Sequence, residues 1–218
     1  AFMKVIYEAV TINFDHLFCT AIRMLKVNTI AMDELYGRIF VAANNIKKLN
    51  KRIHSSIEKE PLIHILTDKD YAPLKSILDL AVAEKTIEIK ENQIIIQQHN
   101  LQDEHKFHTI RVRNTLRVLS NEIEPLQDVM QIIQHCLELD YQDIKKKIIT
   151  IVKKLDHTIF HQDYEHFYLP NISKSKENGC PFYLEGKLKE YGIVLSHGYL
   201  SAPEEVRGLA KYLNEKGG

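Results

Sequence analysis

The amino-acid pattern predicts a mainly α chain with a small β-wing, winged-helix-like in outline, followed by the strand-turn-helix opening of an α/β fold. Three observations carry this. Apolar residues recur at helical spacing over most of residues 15–160. The period falls to two between Thr86 and Ile96, on either side of a polar Lys90-Glu91-Asn92. Beyond the polar, turn-forming stretch 170–179, the pattern becomes strand, tight turn and helix.

Composition narrows the function classes. The 218 residues hold 29 Lys+Arg against 29 Asp+Glu. That balance gives no basic surplus to displace counterions, which argues against a general nucleic-acid binder. At 44% hydrophobic, with 8 Gly and 6 Pro, the chain is too apolar for disorder and too poor in breakers for low complexity. No apolar run approaches the ~18 residues of a membrane span. Cys19, Cys136 and Cys180 are far apart, with no Cys-x-x-Cys pair, so neither a disulfide framework nor a thiolate metal site is expected. The expected compartment is reducing and cytoplasmic.

Taken in order, Leu17, Phe18, Ala21, Ile22 and Leu25 place a helix over Asp15 to Leu25. Leu35, Ile39, Phe40, Ala43, Ile46, Leu49 and Ile53 extend a second from about Met32 to Ile57. Asp68 starts a third, with Leu74, Ile77, Leu78, Ala81 and Val82 facing inward. The hairpin occupies residues 86–97. Helical spacing returns from about Lys106 to Leu139, broken at Pro125. A further helix runs from Tyr141 to about Phe160, with Ile144, Ile148, Ile151, Val152, Leu155 and Ile159 on one face. The boundary at 170–179 separates a domain over 1–170 from a segment over 178–218. In that segment Phe182-Tyr183-Leu184 reads as a short strand, and Tyr191 to Ser196 as a buried one. His197-Gly198 makes the turn, and Ala202 to Lys216 the helix. Ser201 is placed as its N-cap, with Glu204 reaching back.

Both ends read as cut. Phe2-Met3-Lys4-Val5-Ile6-Tyr7 opens the chain without a cap, and Gly217-Gly218 ends it where a turn would lead onward. The expectation is an excerpt of a longer protein.

Gly192-Ile193-Val194-Leu195-Ser196-His197-Gly198-Tyr199 resembles the first conserved strand of α/β-hydrolases of the esterase, monoacylglycerol lipase and lysophospholipase kind. Ser201 to Val206 and Leu209 to Leu213 resemble the helix that follows, so the likeness covers about forty residues. It implies a truncated α/β-hydrolase strand-turn-helix. The His197-Gly198 pair would form the oxyanion-loop motif and the backbone N–H of Tyr199 would be the oxyanion donor. The plainer reading is a strand-turn-helix of another α/β protein. No Gly-x-Ser-x-Gly elbow occurs in the 218 residues, so the nucleophile, its acid and its base are missing and the chain alone is expected to be inactive.

A more diffuse likeness covers residues 1–130. Val5 to Thr11, Met32-Asp33-Glu34-Leu35, Ala81 to Ile89 and Arg111 to Leu116 resemble, in that order, the region after the catalytic domain of glycerol-3-phosphate acyltransferases. That family uses a His-x4-Asp motif as general base. His135 and Asp140 have this spacing, but they lie in an apolar-periodic helical stretch with no Gly-rich segment after them, and are set aside. The two likenesses together imply a fragment of a glycerolipid-metabolising enzyme acting on a glycerolipid or acyl-ester substrate.

Three other features have competing readings. His157 and His161 share a helix face, with Asp163 and His166 at an expected helix end. This is metal-ligand spacing, but ordinary helix-terminus histidines have it too, and neither a metal nor a cofactor is expected. Lys145-Lys146-Lys147 and Lys153-Lys154 flank an apolar stripe, as in a core-packed helix with a solvated lysine face or a helix on an anionic membrane. The second reading would make the parent protein peripheral on the inner membrane. Lys47, Lys48, Lys51 and Arg52, on the presumed second helix, would be the cations of a DNA-reading module, but Glu58, Glu60, Asp68 and Asp70 follow them closely. The alternative to an enzyme is therefore a non-enzymatic winged-helix-like module that binds DNA or protein.

Overall fold

A computed structural model of the chain describes residues 2–58, 62–67, 71–97, 114–187 and 191–217. The expected helix start at Asp68, the acidic Glu60 and Asp70, and the stretch from Lys106 through Arg111-Val112-Arg113 lie outside them. The described residues are mainly helical with a three-stranded antiparallel sheet. They form two compact units, Ala1–Ile148 and Ile149–Gly218.

In the first unit a short helix α1 (Phe2–Glu8) precedes α2 (Phe14–Met24), strand β1 (Thr29–Ala31) and α3 (Met32–Ile46). Two single-turn helices, α4 (Ser55–Glu58) and α5 (His64–Thr67), lead to α6 (Ala72–Ala83) and a hairpin of β2 (Ile87–Lys90) and β3 (Gln93–Ile96). Then come α7 (Thr115–Ile123), α8 (Gln127–Glu138) and the long α9 (Tyr141–Phe167), within which the two units divide.

Helix α2 starts at a capping box. Asn13 Oδ1 accepts the N–H of His16 at 2.9 Å, and Asn13 N–H donates back to His16 Nδ1 at 3.2 Å. That fixes the His16 tautomer, so its Nε2–H donates to Glu122 of α7 at 2.9 Å. Leu17, Phe18, Ala21, Ile22 and Leu25 are buried, as their spacing predicts, and Phe14 joins them. On the α7 side two fully buried small polar residues, Thr20 and Ser120, meet, and Arg23 donates to Ser120, Asn121 and Glu124.

The second helix is shorter than its apolar spacing predicts. It stops at Ile46, and Ile53 instead bridges in parallel to Ile12, with Ile12 N–H donating to the Arg52 carbonyl and His54 N–H to that of Ile12. Asn44 and Asn45 stand at the break. Asn44 back-bonds to the Phe40 carbonyl, the side-chain competition that makes asparagine a weak helix former. Strand β1 has no counterpart in the sequence reading. Three residues running straight into a helix are too few to show a period, and pairing with β3 makes the strand (Ile30↔Ile94). The hairpin is as expected, closed by Glu91-Asn92 with Glu91 at φ 53. Pro125 does separate two helices, α7 and α8.

The junction of α6 with the wing follows from its termini. Lys85, at φ 56, occupies the left-handed position after the helix; its N–H reaches the Val82 carbonyl and that of Thr86 reaches Ala81. The carboxylate of Glu84 accepts the Thr115 N–H at 2.9 and 3.0 Å, placing an anion at the N-terminus of α7, where Asn114 also accepts the Arg117 N–H.

Arg38 ties α3 to α8. Its side chain is buried, and Nη1 donates to the carbonyls of Cys136, Leu137 and Leu139 at 2.8, 3.1 and 2.8 Å. Nε and Nη2 hold Glu34, one turn back on α3. The guanidinium thus satisfies the last carbonyls of α8 and neutralises the negative end of its dipole. Asp140 accepts the Gln142 N–H and starts α9, whose Tyr141, Ile144 and Ile148 close over Gly37; a Cβ there would meet Ile148 Cδ1 at 3.0 Å.

The second unit takes α9 from Ile149 onward, a short helix α10 (Lys176–Gly179) and α11 (Pro203–Gly217). Helix α9 ends at Phe167, beyond the expected Phe160, so His161 and Asp163 lie within the helix and His166 in its last turn. After turns at 170–173 the chain returns antiparallel along one face of α9. Tyr164 Oη donates to the Lys174 carbonyl, Lys176 pairs with Glu165, Gly179 abuts Phe160, Cys180 meets His157, and Lys153 lies 4.0 Å from the Tyr183 ring centre. The α9 positions 153, 157, 160 and 164 form one helical stripe. The two expected strands do not form. Phe182 and Tyr183 instead stack on Arg207 and Lys153, and residues 191–198 form no helix or strand. A strand needs a neighbour to satisfy its backbone, and the only described sheet belongs to the first unit. Ala202 is the one buried residue described in this unit.

Replacing Arg38 by Ala should lower the stability of the first unit by about 3 kcal/mol, because it strands buried carbonyls and the Glu34 carboxylate. Arg38→Lys should recover only part, since an ammonium lacks the planar fork. Urea titration followed by far-ultraviolet circular dichroism checks both. Equal midpoints for Arg38→Ala and the unaltered chain would contradict the assigned role.

Candidate functional site

The His197-Gly198-Tyr199 turn is exposed throughout. The Gly198 carbonyl accepts the Ser201 N–H at 3.1 Å and lies 3.1 Å from His197 Nδ1, which donates to it. Leu200, next in sequence, has φ 60, the left-handed region that a bulky side chain rarely adopts. Tyr199 is 95% exposed, and its backbone N–H donates to no carbonyl among the described residues. A Cβ on Gly198 would meet nothing within 4 Å, so packing does not require glycine there.

Helix α11 starts at Pro203, one residue later than the sequence places it, because proline suits the first helical position. The capping partners shift with it. The Ser201 hydroxyl bonds Glu205, not Glu204, and with Lys174 holds the Glu205 carboxyl below the usual range; Glu204 pairs with Arg207. The segment before the turn was expected to be buried, but Ile193 is 60% and Val194 93% exposed, since no sheet covers either face.

The other sequence-singled residues are scattered. His135 is exposed on α8 and Asp140 caps α9, with no bond between them among the described residues. His157 and His161 share a face, with ring centres 6.4 Å apart. No group of three or more His, Cys, Asp or Glu able to hold a metal occurs among the described residues. Lys145, Lys146, Lys147, Lys153 and Lys154 are exposed, and Ile144 alone of the apolar stripe is buried. Lys47 to Arg52 lie past the end of α3. Burial pulls Lys47 down from its usual value, Lys48 donates to Asn45, and Lys51 pairs with Asp128 at 3.0 Å. No described helix is long and apolar enough to cross a membrane.

Two hollows went unforeseen. One, of about 460 Å³ in the first unit, lies among the ends of α2 and α8, strand β1 and Arg38, with the Lys26–Glu138 pair on its lining. The other, about 290 Å³, is formed by Tyr164, Glu165, Tyr168 and Lys176. Neither is lined by a nucleophile with a base beside it. No local sequence signal marks the first hollow, because its lining comes from elements far apart in the chain. Comparison with family models, curated proteins and solved structures finds no match to this chain.

The ion pairs set an acid limit. At Asp128 burial raises the pKa, but the bonds from Lys51 and the Val129 N–H outweigh it and hold the carboxyl below its usual value. At Glu138 the bonds from Gln134 and Lys26 do the same. Both therefore stabilise the fold above the ordinary carboxylate range, and that stability is lost as pH falls through their depressed values. Asp15, raised by burial, acts with the opposite sign. The expected net result is a modest loss of stability of the first unit as pH falls below about 4, with a shallower acid limb in Asp128→Asn. A pH series of urea midpoints measures it, and identical limbs would refute the assignment.

Proposed function

We propose that the chain is part of a glycerolipid-metabolising enzyme that joins an acyltransferase-associated helical region to the opening of an α/β-hydrolase domain. In this reading the Tyr199 N–H is an oxyanion donor, and His197 and Gly198 shape the loop that presents it. The carrying observation is the backbone at 197–200: a left-handed Leu200 immediately after an N–H that points at no described acceptor. Strain of this kind in a bulky residue clusters at functional turns, and a free N–H ahead of a helix is what an oxyanion hole requires. The glycine at 198, unneeded for packing, would leave room for the acyl group. The exposed apolar faces of Ile193 and Val194 fit a strand whose sheet neighbours lie in the remainder of such a domain. The exposed lysines of Lys145–Lys154 would favour an anionic membrane surface, where such substrates reside.

A second reading has its own support. The first unit runs α1, α2, β1, α3, the single-turn α4 and α5, α6 and the hairpin, with sheet order β1-β3-β2, which is compatible with a winged-helix-like module. Helix α6, which precedes the wing, carries Lys75 against Asp79 and no basic stripe, so a protein partner suits it better than DNA.

The test uses the complete reading frame. The enzyme reading expects a His-x4-Asp motif upstream, a Gly-x-Ser-x-Gly elbow downstream, and ester hydrolysis by the full protein but not by these 218 residues alone. In the full protein Tyr199→Pro, which deletes the N–H, should lower kcat by about 10²–10³-fold, while Tyr199→Ala, which keeps it, should not. A frame lacking both motifs, or equal activity in the two variants, would overturn the proposal.

A further inference from the structure

Cys180 and His157 stand apart from everything used above. Cys180 is partly exposed, and its Sγ lies 3.2 Å from His157 Nδ1, two elements meeting at hydrogen-bond distance. The other two thiols are shut away. Cys19 and Cys136 are each 1% exposed, and burial pushes both thiols up from their usual value.

The pairing is built into the way the returning chain lies on α9. Contacts brace it on both sides: Lys174 and Lys176 on Tyr164 and Glu165 before it, and Tyr183 on Lys153 after it. Between them Gly179 lets the backbone touch Phe160; an added Cβ would come within 3.0 Å of two ring carbons. The glycine thus sets how closely Cys180 approaches His157. A partly exposed thiol with an imidazole at hydrogen-bond distance is the nucleophile–base arrangement of thiol chemistry.

We propose that Cys180, with His157 as its base, is a thiol-modification site that reacts with small disulfides. In the step, Cys180 Sγ attacks one sulfur of the disulfide as His157 takes the thiol proton. A Cys180–S bond forms and the reagent's S–S bond breaks. Cys180 is oxidised to a mixed disulfide, while the departing sulfur is reduced to a thiol and receives the proton from His157. The disulfide is the oxidant, and no other reactant is needed. This inference is independent of the proposed lipid chemistry and stands or falls separately.

Dithiodipyridine, whose released thiopyridone is read by absorbance, tests it on the native 218-residue chain. One of the three thiols should react in a fast phase, and all three after denaturation. Cys180→Ser should lose the fast phase. His157→Gln should slow it about tenfold or more at neutral pH and remove a limb of the pH–rate curve. Gly179→Val, which pushes the chain off Phe160, should slow it similarly, while thiol counts after denaturation stay at the expected total. A fast phase retained in Cys180→Ser would overturn the proposal, as would His157→Gln or Gly179→Val reacting at the rate and with the pH profile of the unaltered chain.

Discussion

The first unit depends on how helix α8 ends. Its last carbonyls are buried or half-buried, and a buried one left unpaired would cost about 1–3 kcal/mol. Arg38 meets three of them with one nitrogen and uses the others to hold Glu34. Because Leu139, the last of these acceptors, is followed by the Asp140 cap of α9, the same guanidinium also sets where the next helix begins. Gly37, beside Arg38 in sequence, then admits Ile144 and Ile148 against α3. Two adjacent residues of α3 therefore place both α8 and the first turns of α9. The α2–α7 face works on the same plan, with buried polar groups all partnered: Thr20 with Ser120, and His16 with both Asn13 and Glu122.

The second unit is held differently. Its contacts are cation–ring pairs, exposed ion pairs and single hydrogen bonds along α9, and the described residues bury little more than Ala202. Exposed pairs contribute about 0–1 kcal/mol apiece. Such a unit keeps its local turns but cannot compel an apolar segment to form a strand. That is why residues 191–198, strand-like in composition, form no strand and stay largely exposed, while α11, whose backbone bonds are internal, forms as expected.

What the sequence showed and hid follows from the range of the interactions. Helices with a continuous apolar stripe were legible, as were the hairpin and the Pro125 break, because each is decided within a few residues. The end of α3 was not. Leu49 and Ile53 continue the helical period, and only the distant Ile12 draws Ile53 into a bridge. Strand β1 was invisible for the same reason, since β3 makes it. Of the candidate site, the His197-Gly198-Tyr199 turn was legible as a turn before a helix, but the left-handed Leu200 was not. The Ser201 cap was off by one residue because Pro203 claims the first helical position. Arg38 went unmarked in the sequence, because its partners are carbonyls about a hundred positions away and nothing local announces them. Cys180 and His157 both stand out in the sequence, but their meeting depends on a chain reversal that neither residue encodes.

In the first unit Arg38 organises the helices, while in the second the strand-like residues 191–198 pair with no strand among the described residues. Amide hydrogen exchange on the intact chain tests this contrast most directly. Strong protection is expected in α2, α3, α7 and α8, and exchange at 191–199 close to that of an unstructured peptide. Protection at 192–197 matching that of the first unit would mean that this segment has found a partner, and would contradict it.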